Sequence, residues 1–264
     1  MPAYPLGAPC WADATFPDLE AAKSFYGEIL GWTFDEGAEE FGGYTQALVD
    51  GRPVAAVVPQ MPGMEEAGPP AWSLYLASPD LAATAEKIKA NGGTVVVDPM
   101  QVGPFGSMLV ARDPGGVGFC VWQADQHQGF EKVNEPGGFC WAEVTTRDAA
   151  AADAFFPAVF GYNARKMKDD TIDFAVWDLG ADPLLGRMQM TKDFPPDVPP
   201  HINVYFVVED CDVAVDAVKR LGGQVHFGPM SMPFGRFATV TDPQGAVFSV
   251  IDVTTTEGEV PEMI

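Results

Sequence analysis

The spacing of apolar residues along the chain alternates between two periods in a fixed order. Residues 18–31 have the apolar spacing of a helix. Asp18 can accept hydrogen bonds from a first helical turn, and Gly31 favours a helix end. The apolar face of this segment contains Leu19, Ala22, Tyr26, Ile29 and Leu30. A strand-like run precedes it at 10–15, and three more follow within 32–59. This pattern predicts a βαβββ module.

The same order of elements occurs four times. "WSLYLA" at 72–77 begins a second module, and the second half of the chain repeats both modules, with helices near 148–160 and 210–221. Displaced by 130 residues against itself, the chain aligns "CWADATFPDLEAAKSFYGEILGW" with "CWAEVTTRDAAAADAFFPAVFGY". A one-residue deletion later changes the displacement to 129. A repeat of this length indicates two duplicated domains.

Four βαβββ modules predict an α+β fold with two tandem domains. We assign 6–125 to the first domain, 126–135 to a polar linker, 136–254 to the second domain and 255–264 to a tail. Two modules in each domain would form one strongly curved, eight-stranded sheet, which is an open cup with its helices on the outside. A ligand is expected on the concave side.

Charge and composition restrict the possible partners. The formal net charge of −22 repels nucleic acid and anionic membrane surfaces. No apolar run is long enough to span a bilayer, and the N-terminal residues do not have the pattern of a secretory signal. The four cysteines include no CxxC pair, which suits a reducing compartment. We expect a cytoplasmic monomer or homodimer that binds a small molecule and neither nucleic acid nor membrane.

The order of modules resembles the vicinal oxygen chelate superfamily, which includes glyoxalase I, bleomycin- and fosfomycin-resistance proteins and extradiol dioxygenases. The resemblance covers nearly the whole chain. It rests on "DLEAAKSFYGEILGW", on the helix of "PDLAAT" and "ANGG", and on the turns "RDPGGVGF" and "TDPQGAVF" before the last strand of each domain. The chain is most similar to two-domain actinobacterial proteins described as hydroxylase or glyoxalase-like. Such descriptions follow the fold, which alone does not define the chemistry.

This resemblance implies three metal-ligand positions in each domain. Two lie seven residues before the Asp that opens a helix, and the third lies seven residues after the Asp of the "DP" turn. These positions hold Trp11, Ser73 and Cys120 in the first domain and Trp141, Asn203 and Ser249 in the second. None is His, Glu, Asp or Gln, and one thiolate does not make a metal site. We therefore expect no metal and no other cofactor, and an aromatic wall in place of the first ligand.

Alternation along the first strand of each domain selects the residues that face the cup. If the alanines of "CWADAT" pack beneath the helices, Trp11 and Asp13 point into the concavity, and the same parity selects Trp141 and Glu143. A carboxylate in a partly desolvated aromatic cup has a raised pKa, as a general base near neutrality requires. The alternatives are core-filling tryptophans and acids that are paired or lie on a solvated rim.

Tyr75 and Tyr205 also occupy corresponding positions. By parity they share a face with Ser73 and Asn203, and a ring with one polar tip suits a flat organic ligand. Core tyrosines with satisfied hydroxyl groups are the alternative.

Three functions remain compatible with these residues. The first is metal-independent binding of a small, partly aromatic or apolar metabolite or antibiotic in one or both cups, for sequestration or resistance. The second is an enzyme of lyase, isomerase, hydroxylase-like or glyoxalase type that uses Asp13 or Glu143 as its base. The third is a metalloenzyme with unusual ligands.

Overall fold

The computed structural model describes residues 4–61, 69–169, 171–180, 182–192 and 194–264. The first domain contains two helices, α1 (Leu19–Leu30) and α2 (Leu81–Ala90), and eight strands: β1 (Pro9–Phe16), β2 (Thr33–Phe34), β3 (Thr45–Val49), β4 (Arg52–Pro59), β5 (Trp72–Ala77), β6 (Thr94–Val102), β7 (Gly106–Arg112) and β8 (Gly118–Ala124). The second domain contains α3 (Ala149–Phe160), α4 (Cys211–Arg220), β9 (Phe139–Thr146), β10 (Asn163–Lys166), β11 (Phe174–Leu179), β12 (Asp182–Gln189), β13 (His201–Val207), β14 (Gln224–Met232), β15 (Gly235–Thr241) and β16 (Val247–Asp252). The α+β prediction with four βαβββ modules is confirmed.

Each domain is one mixed sheet whose two modules meet at its centre. The first sheet has the order β2-β3-β4-β1-β5-β8-β7-β6, and the second repeats it as β10-β11-β12-β9-β13-β16-β15-β14. β1 pairs in parallel with β4 of its own module and antiparallel with β5 of the next. The outermost strands of each sheet do not pair with each other, so each sheet stays open.

The helices begin and end where the sequence indicates. An aspartate precedes each helix, and its carboxylate accepts a hydrogen bond from a backbone N–H of the first turn; these N-caps are Asp18, Asp80, Asp148 and Asp210. α1 and α3 each end at a glycine in the left-handed region, with φ of 69° at Gly31 and 81° at Gly161. The buried face of α1 also includes Phe25, which the predicted face omitted.

The helices lie outside each cup, each with one face buried and the other exposed. α1 packs against α4 of the other domain, and α2 packs against α3. The convex faces of the two sheets also meet directly, since β13 contacts β5 and β8, and one continuous apolar core joins the domains. The two concave faces consequently point away from each other. Within the described ranges, no helix is long and apolar enough to cross a membrane.

Aromatic rings fill the space between the domains. Tyr26 stacks on Trp32 and meets Trp72 edge-on, and its hydroxyl group donates to Asp242 of the second domain at 2.9 Å. The indole of Trp72 donates to the same hydroxyl group at 3.1 Å. Rings packed in this way contribute roughly 0.5–1.5 kcal/mol per pair beyond their buried area. The interface therefore holds the two cups in a fixed back-to-back arrangement.

Candidate functional site

A bulge at the start of each first strand sets the parity of the cup. The register of β1 against β5 shifts between Pro9 and Trp11, and β9 shows a matching shift against β13. Beyond the bulge, facing residues pair in the same way in both domains: Trp11 with Tyr75, Asp13 with Ser73, Trp141 with Tyr205, and Glu143 with Asn203. The structure thus brings the sequence-predicted residues together as two corresponding clusters.

In the first cup, three aromatic side chains surround one carboxylate. The indole of Trp11 donates to the Tyr44 hydroxyl oxygen at 2.7 Å, and that hydroxyl group donates to Oδ2 of Asp13 at 3.1 Å. The Tyr75 hydroxyl group donates to the same oxygen at 2.8 Å. Trp11 is buried, with 2% of its surface exposed. The network fixes the position of Asp13, whose Oδ2 accepts hydrogen bonds from both tyrosines.

Desolvation dominates the electrostatics of this cluster. It raises the pKa of Asp13 to about 6, although the hydrogen bonds from Tyr75 and Tyr44 act in the opposite direction. Burial also raises the pKa of the Cys120 thiol, with a further contribution from the charge of Asp13. Cys120 is therefore a protonated thiol at neutral pH, whereas Asp13 exchanges its proton near neutrality.

The segment that follows β8 closes one side of the first cup. The backbone N–H of Phe130 donates to the Cys10 carbonyl, and the Phe130 ring packs against Trp11 with centroids 5.6 Å apart. His127 meets Trp11 edge-on at 4.4 Å, and burial lowers the pKa of this imidazole to about 4. Its Nε2 is buried without a hydrogen-bond partner. The assigned linker, 126–135, therefore packs as a wall of the first cup.

An aromatic pair lies at the mouth of the first cup. The rings of Phe41 and Phe105 are 5.3 Å apart and nearly perpendicular. A small cavity elsewhere in the first domain is lined by Tyr4, Cys10 and Trp122 among others, and none of the predicted site residues lines it. The predicted residues of this cup thus lie within a packed cluster.

The second cup holds its carboxylate differently. The indole of Trp141 donates directly to Oε1 of Glu143 at 3.2 Å, and the Tyr205 hydroxyl group donates to Oε2 at 3.0 Å. Phe174 occupies the position that corresponds to Tyr44, so the intermediate hydroxyl group is missing. Desolvation raises the pKa of Glu143, while the bonds from Tyr205 and Trp141 oppose the shift.

A glycine makes room for the longer acid. Gly186 is the register partner of Glu143, as Ala56 is of Asp13. A Cβ atom at Gly186 would lie 2.8 Å from Cγ of Glu143 and 2.8 Å from the ring of Phe174. The second cup therefore pairs Glu143 with Gly186, where the first cup pairs Asp13 with Ala56.

A row of small polar side chains continues the floor of the second cup. The carboxamide of Asn203 donates to Oγ of Ser249 at 2.8 Å, and this hydroxyl group lies 2.9 Å from Oγ1 of Thr239. Asn203 is 6% exposed, and its Oδ1 is buried without a hydrogen-bond partner. A buried carbonyl oxygen without a donor costs roughly 1–3 kcal/mol. This oxygen is therefore an unsatisfied acceptor in the floor of the second cup.

The rim of the second cup is apolar and exposed. Rings extend outward from Tyr205 to Phe237 and then to Phe227, with centroid separations of 6.1 and 5.6 Å. Phe227 is 52% exposed, and Phe234, which corresponds to Phe105, is 56% exposed. Thr171 stands at the position of Phe41, so this mouth lacks the aromatic pair.

The tail crosses the open side of the second sheet. The N–H of Glu257 donates to the Met232 carbonyl at the end of β14, and Ile264 exchanges backbone hydrogen bonds with Lys166 at the end of β10. Because β14 and β10 are the two edges of the sheet, 255–264 joins both edges.

The implied metal-ligand positions do not fit a divalent ion. In the first cup they present an indole N–H that already donates, a serine hydroxyl group and a protonated thiol. In the second, Asn203 and Ser249 bond to each other beside an indole. Across the described ranges, no group of three or more His, Cys, Asp or Glu side chains could hold a metal ion. A metal centre of the type used by metal-dependent relatives therefore has no donor set at these positions.

Two duplicated open cups of βαβββ modules define a known class of protein. The model of the Glyoxalase/Bleomycin resistance protein/Dioxygenase superfamily matches residues 11–121 and 138–250. The two matches fall on the two sheets, so the chain belongs to this superfamily.

Named relatives extend over nearly the full chain. The "Putative glyoxylase CFP32" of Mycobacterium tuberculosis is 37% identical over 252 residues, which cover 94% of this chain and 95% of that protein. The anthracycline biosynthesis protein DnrV of Streptomyces peucetius is 36% identical in an alignment 268 residues long, gaps included, that covers 96% of both chains.

Solved structures support the fold alone, because their sequence identity is low. The Mn(II)-bound glyoxalase from Novosphingobium aromaticivorans has a TM-score of 0.65 at 17% identity, covering 97% of this chain and 87% of that one. The 2,3-dioxygenase LapB from Pseudomonas sp. KL28 has a TM-score of 0.66 at 16% identity, covering 98% and 95%.

Sequence reasoning did not select Tyr44, His127 and Phe130 as parts of the first cup. Tyr44 lies just before β3, and its correspondence with Phe174 is visible in the repeat, so a comparison of the two copies could have selected it. His127 and Phe130 lie in the segment after β8, where no periodicity indicates which way a side chain points. Their position depends on backbone bonds to Phe105 and Cys10.

Proposed function

We propose that the protein binds a small, partly aromatic or apolar metabolite or antibiotic in one or both cups without a metal ion, for sequestration or resistance. The observation that carries the proposal is the pair of Trp, carboxylate and Tyr clusters at corresponding places in the two cups. Tryptophan stands where a metal-using relative has its first ligand. Flat rings with a few polar tips suit a flat organic ligand.

The name of one relative supports an aromatic ligand. The name of one relative concerns the biosynthesis of anthracyclines, which are flat polycyclic aromatic compounds. The name of another points to glyoxylase chemistry. The donor set at the implied metal positions favours binding over metal-dependent turnover in this chain.

Calorimetric titration of chelator-treated protein with 2-naphthol tests the proposal. We expect a dissociation constant on the order of 0.1 mM for such a small ligand, unchanged by added Zn²⁺ or Mn²⁺. The Trp→Ala change in the cup that holds the ligand, at Trp141 or at Trp11, should weaken binding by about five- to a hundred-fold, because one buried aromatic contact is worth roughly 1–3 kcal/mol. Thermal unfolding of each variant provides the control for folding. Binding that requires a metal would contradict the proposal.

A second function is favoured by one observation, which is the raised pKa of Asp13. A carboxylate with a pKa of about 6 is suited to accept a proton at neutral pH. Asp13, or Glu143 in the other cup, would then act as the base of a lyase, isomerase or hydroxylase-like enzyme. Under this alternative, Asp13→Asn or Glu143→Gln abolishes turnover and removes an ionisation from the pH–rate profile but leaves ligand binding intact. Under the binding function, the change in the cup that holds the ligand affects affinity alone.

A further inference from the structure

We propose that the second cup is the ligand site and that it selects flat aromatic molecules that present a hydrogen-bond donor, a hydroxyl or amino group, to Asn203 and Glu143. This inference rests on the proposed binding function and makes it specific in two respects. It names which cup binds, and it names the polar group that the ligand must carry.

The polar floor of the second cup offers acceptors. Oδ1 of Asn203 is buried without a partner, because the amide nitrogen of that side chain is the atom bonded to Ser249. Each oxygen of Glu143 receives one hydrogen bond, from Trp141 or Tyr205, and a carboxylate oxygen can accept two. Asn203 and Glu143 are register partners on adjacent strands, so the two acceptors lie side by side. A ligand that presents a donor to this place satisfies them.

The walls of the second cup suit a flat ring. Tyr205, Phe237 and Ile251 form a separate apolar cluster that is not part of the main core, with Trp141 and Met232 packed against it. The exposed rings farther out continue this surface to the rim. A flat molecule can therefore lie on the aromatic side while its polar edge faces the acceptors.

The first cup shows the opposite arrangement at the corresponding places. Ser73 and Cys120 replace Asn203 and Ser249, so the unpartnered carboxamide oxygen has no counterpart there. Trp11 is 2% exposed, and its indole bonds to Tyr44, which the second cup lacks. The first cup also contains a buried polar atom without a partner, Nε2 of His127, but this atom lies beside Trp11 and not at the position that corresponds to Asn203.

Two probes that differ only in the donor test the selection. The first is 2-naphthol, and the second is 2-methoxynaphthalene, which keeps the ring and oxygen but cannot donate. We expect the full chain to bind 2-naphthol at least about tenfold more tightly by calorimetry, because a hydrogen bond to a buried, otherwise unsatisfied acceptor is lost in the ether. Equal affinities for the two probes would overturn the donor requirement, while leaving metal-free binding itself in place.

Matched variants in the two cups test the location. Asn203→Ala should weaken 2-naphthol binding about five- to twenty-fold and leave 2-methoxynaphthalene nearly unchanged, whereas the corresponding Ser73→Ala should change neither by more than about twofold. Glu143→Gln and Asp13→Asn form a second matched pair if an alanine variant unfolds. If the first-cup variants reduce binding and the second-cup variants do not, the ligand site is the first cup and the inference is wrong. If neither probe binds chelator-treated protein, the proposed function fails as well.

Discussion

The two cups have the same plan but complete it in different ways. In the first, Asp13 receives both of its hydrogen bonds on one oxygen, from two tyrosines, and Trp11 reaches it only through Tyr44. In the second, the longer Glu143 receives Trp141 and Tyr205 directly, one on each oxygen. Each cup also contains one buried polar atom without a partner, which is Nε2 of His127 in the first and Oδ1 of Asn203 in the second.

This difference indicates that duplication kept the same sheet in both domains, while side chains of the protein itself came to fill the first cup. The aromatic pair and the wall of 126–135 complete the first cup from within the chain. The second cup keeps exposed rings at its rim, and the tail joins the two edges of its sheet. The following predictions test how far the two copies have diverged.

The largest difference in stability is expected beneath α3. Arg187 is fully buried and donates to both oxygens of Asp153, at 3.1 and 2.9 Å, and to Asp173, whereas the first domain has Val57 at this position. Arg187→Leu should reduce the free energy of unfolding by about 3–5 kcal/mol, because it leaves the partly buried Asp153 without its strongest partner. Chemical denaturation measures this loss. A cost below about 1 kcal/mol would show that the ion pair of the second domain merely replaces the valine of the first.

The next prediction concerns the pH dependence caused by Asp13. Its raised pKa means that the native state binds more protons than the unfolded chain between about pH 4 and pH 6, so this residue makes stability fall as the pH rises through that window. Asp13→Asn should therefore stabilise the protein by roughly 2–3 kcal/mol at pH 7, and the difference should disappear below about pH 4. Denaturation measured across this pH range checks the sign. A variant less stable at every pH would show that the hydrogen bonds of the carboxylate outweigh its desolvation.

The fit between acid length and its strand partner gives a third test. Gly186→Ala should cost about 1–3 kcal/mol, because the added methyl group meets Glu143 and Phe174 at 2.8 Å. Adding Glu143→Asp reproduces the pair of the first cup and should recover at least about half of that loss. A double-mutant cycle in urea measures the coupling. Strictly additive losses would show that the two positions did not change together.

The smallest expected effect lies at the interface between the domains. Asp242 accepts the hydroxyl group of Tyr26, but its counterpart Asp113 has an oxygen without a partner, and Phe156 occupies the position corresponding to Tyr26. Phe156→Tyr should therefore stabilise the protein by about 1 kcal/mol, and Tyr26→Phe should destabilise it by a similar amount or more. Thermal unfolding measures both. A destabilised Phe156→Tyr would mean that the packing leaves no room for the hydroxyl group.

The repeat and the periodicity were sufficient to predict the modules, the caps and the parity of the cups. The caps follow from local chemistry, since an aspartate before each helix and a glycine after α1 act within one turn. Parity follows from alternation, which fixed Trp11 and Asp13 on one face. These features depend on near neighbours in the sequence, so local sequence patterns predict them.

Features that depend on the meeting of distant segments were not predictable in the same way. The partners of Asp13 include Tyr44, which lies 31 residues away, and the rings beside Trp11 come from the segment after β8. The position of the helices between the domains likewise depends on how two convex faces pack. No local pattern specifies that α1 meets α4.

The central claim is that the second cup binds an aromatic ligand without a metal, and one calorimetric titration tests it most directly. The full chain is dialysed against a chelator and titrated with 2-naphthol. The account predicts one equivalent bound per chain and the same affinity after Mn²⁺ or Zn²⁺ is added. Two equivalents per chain would contradict the assignment to one cup. Binding that appears only after the metal is added, or no binding under either condition, would contradict the claim itself.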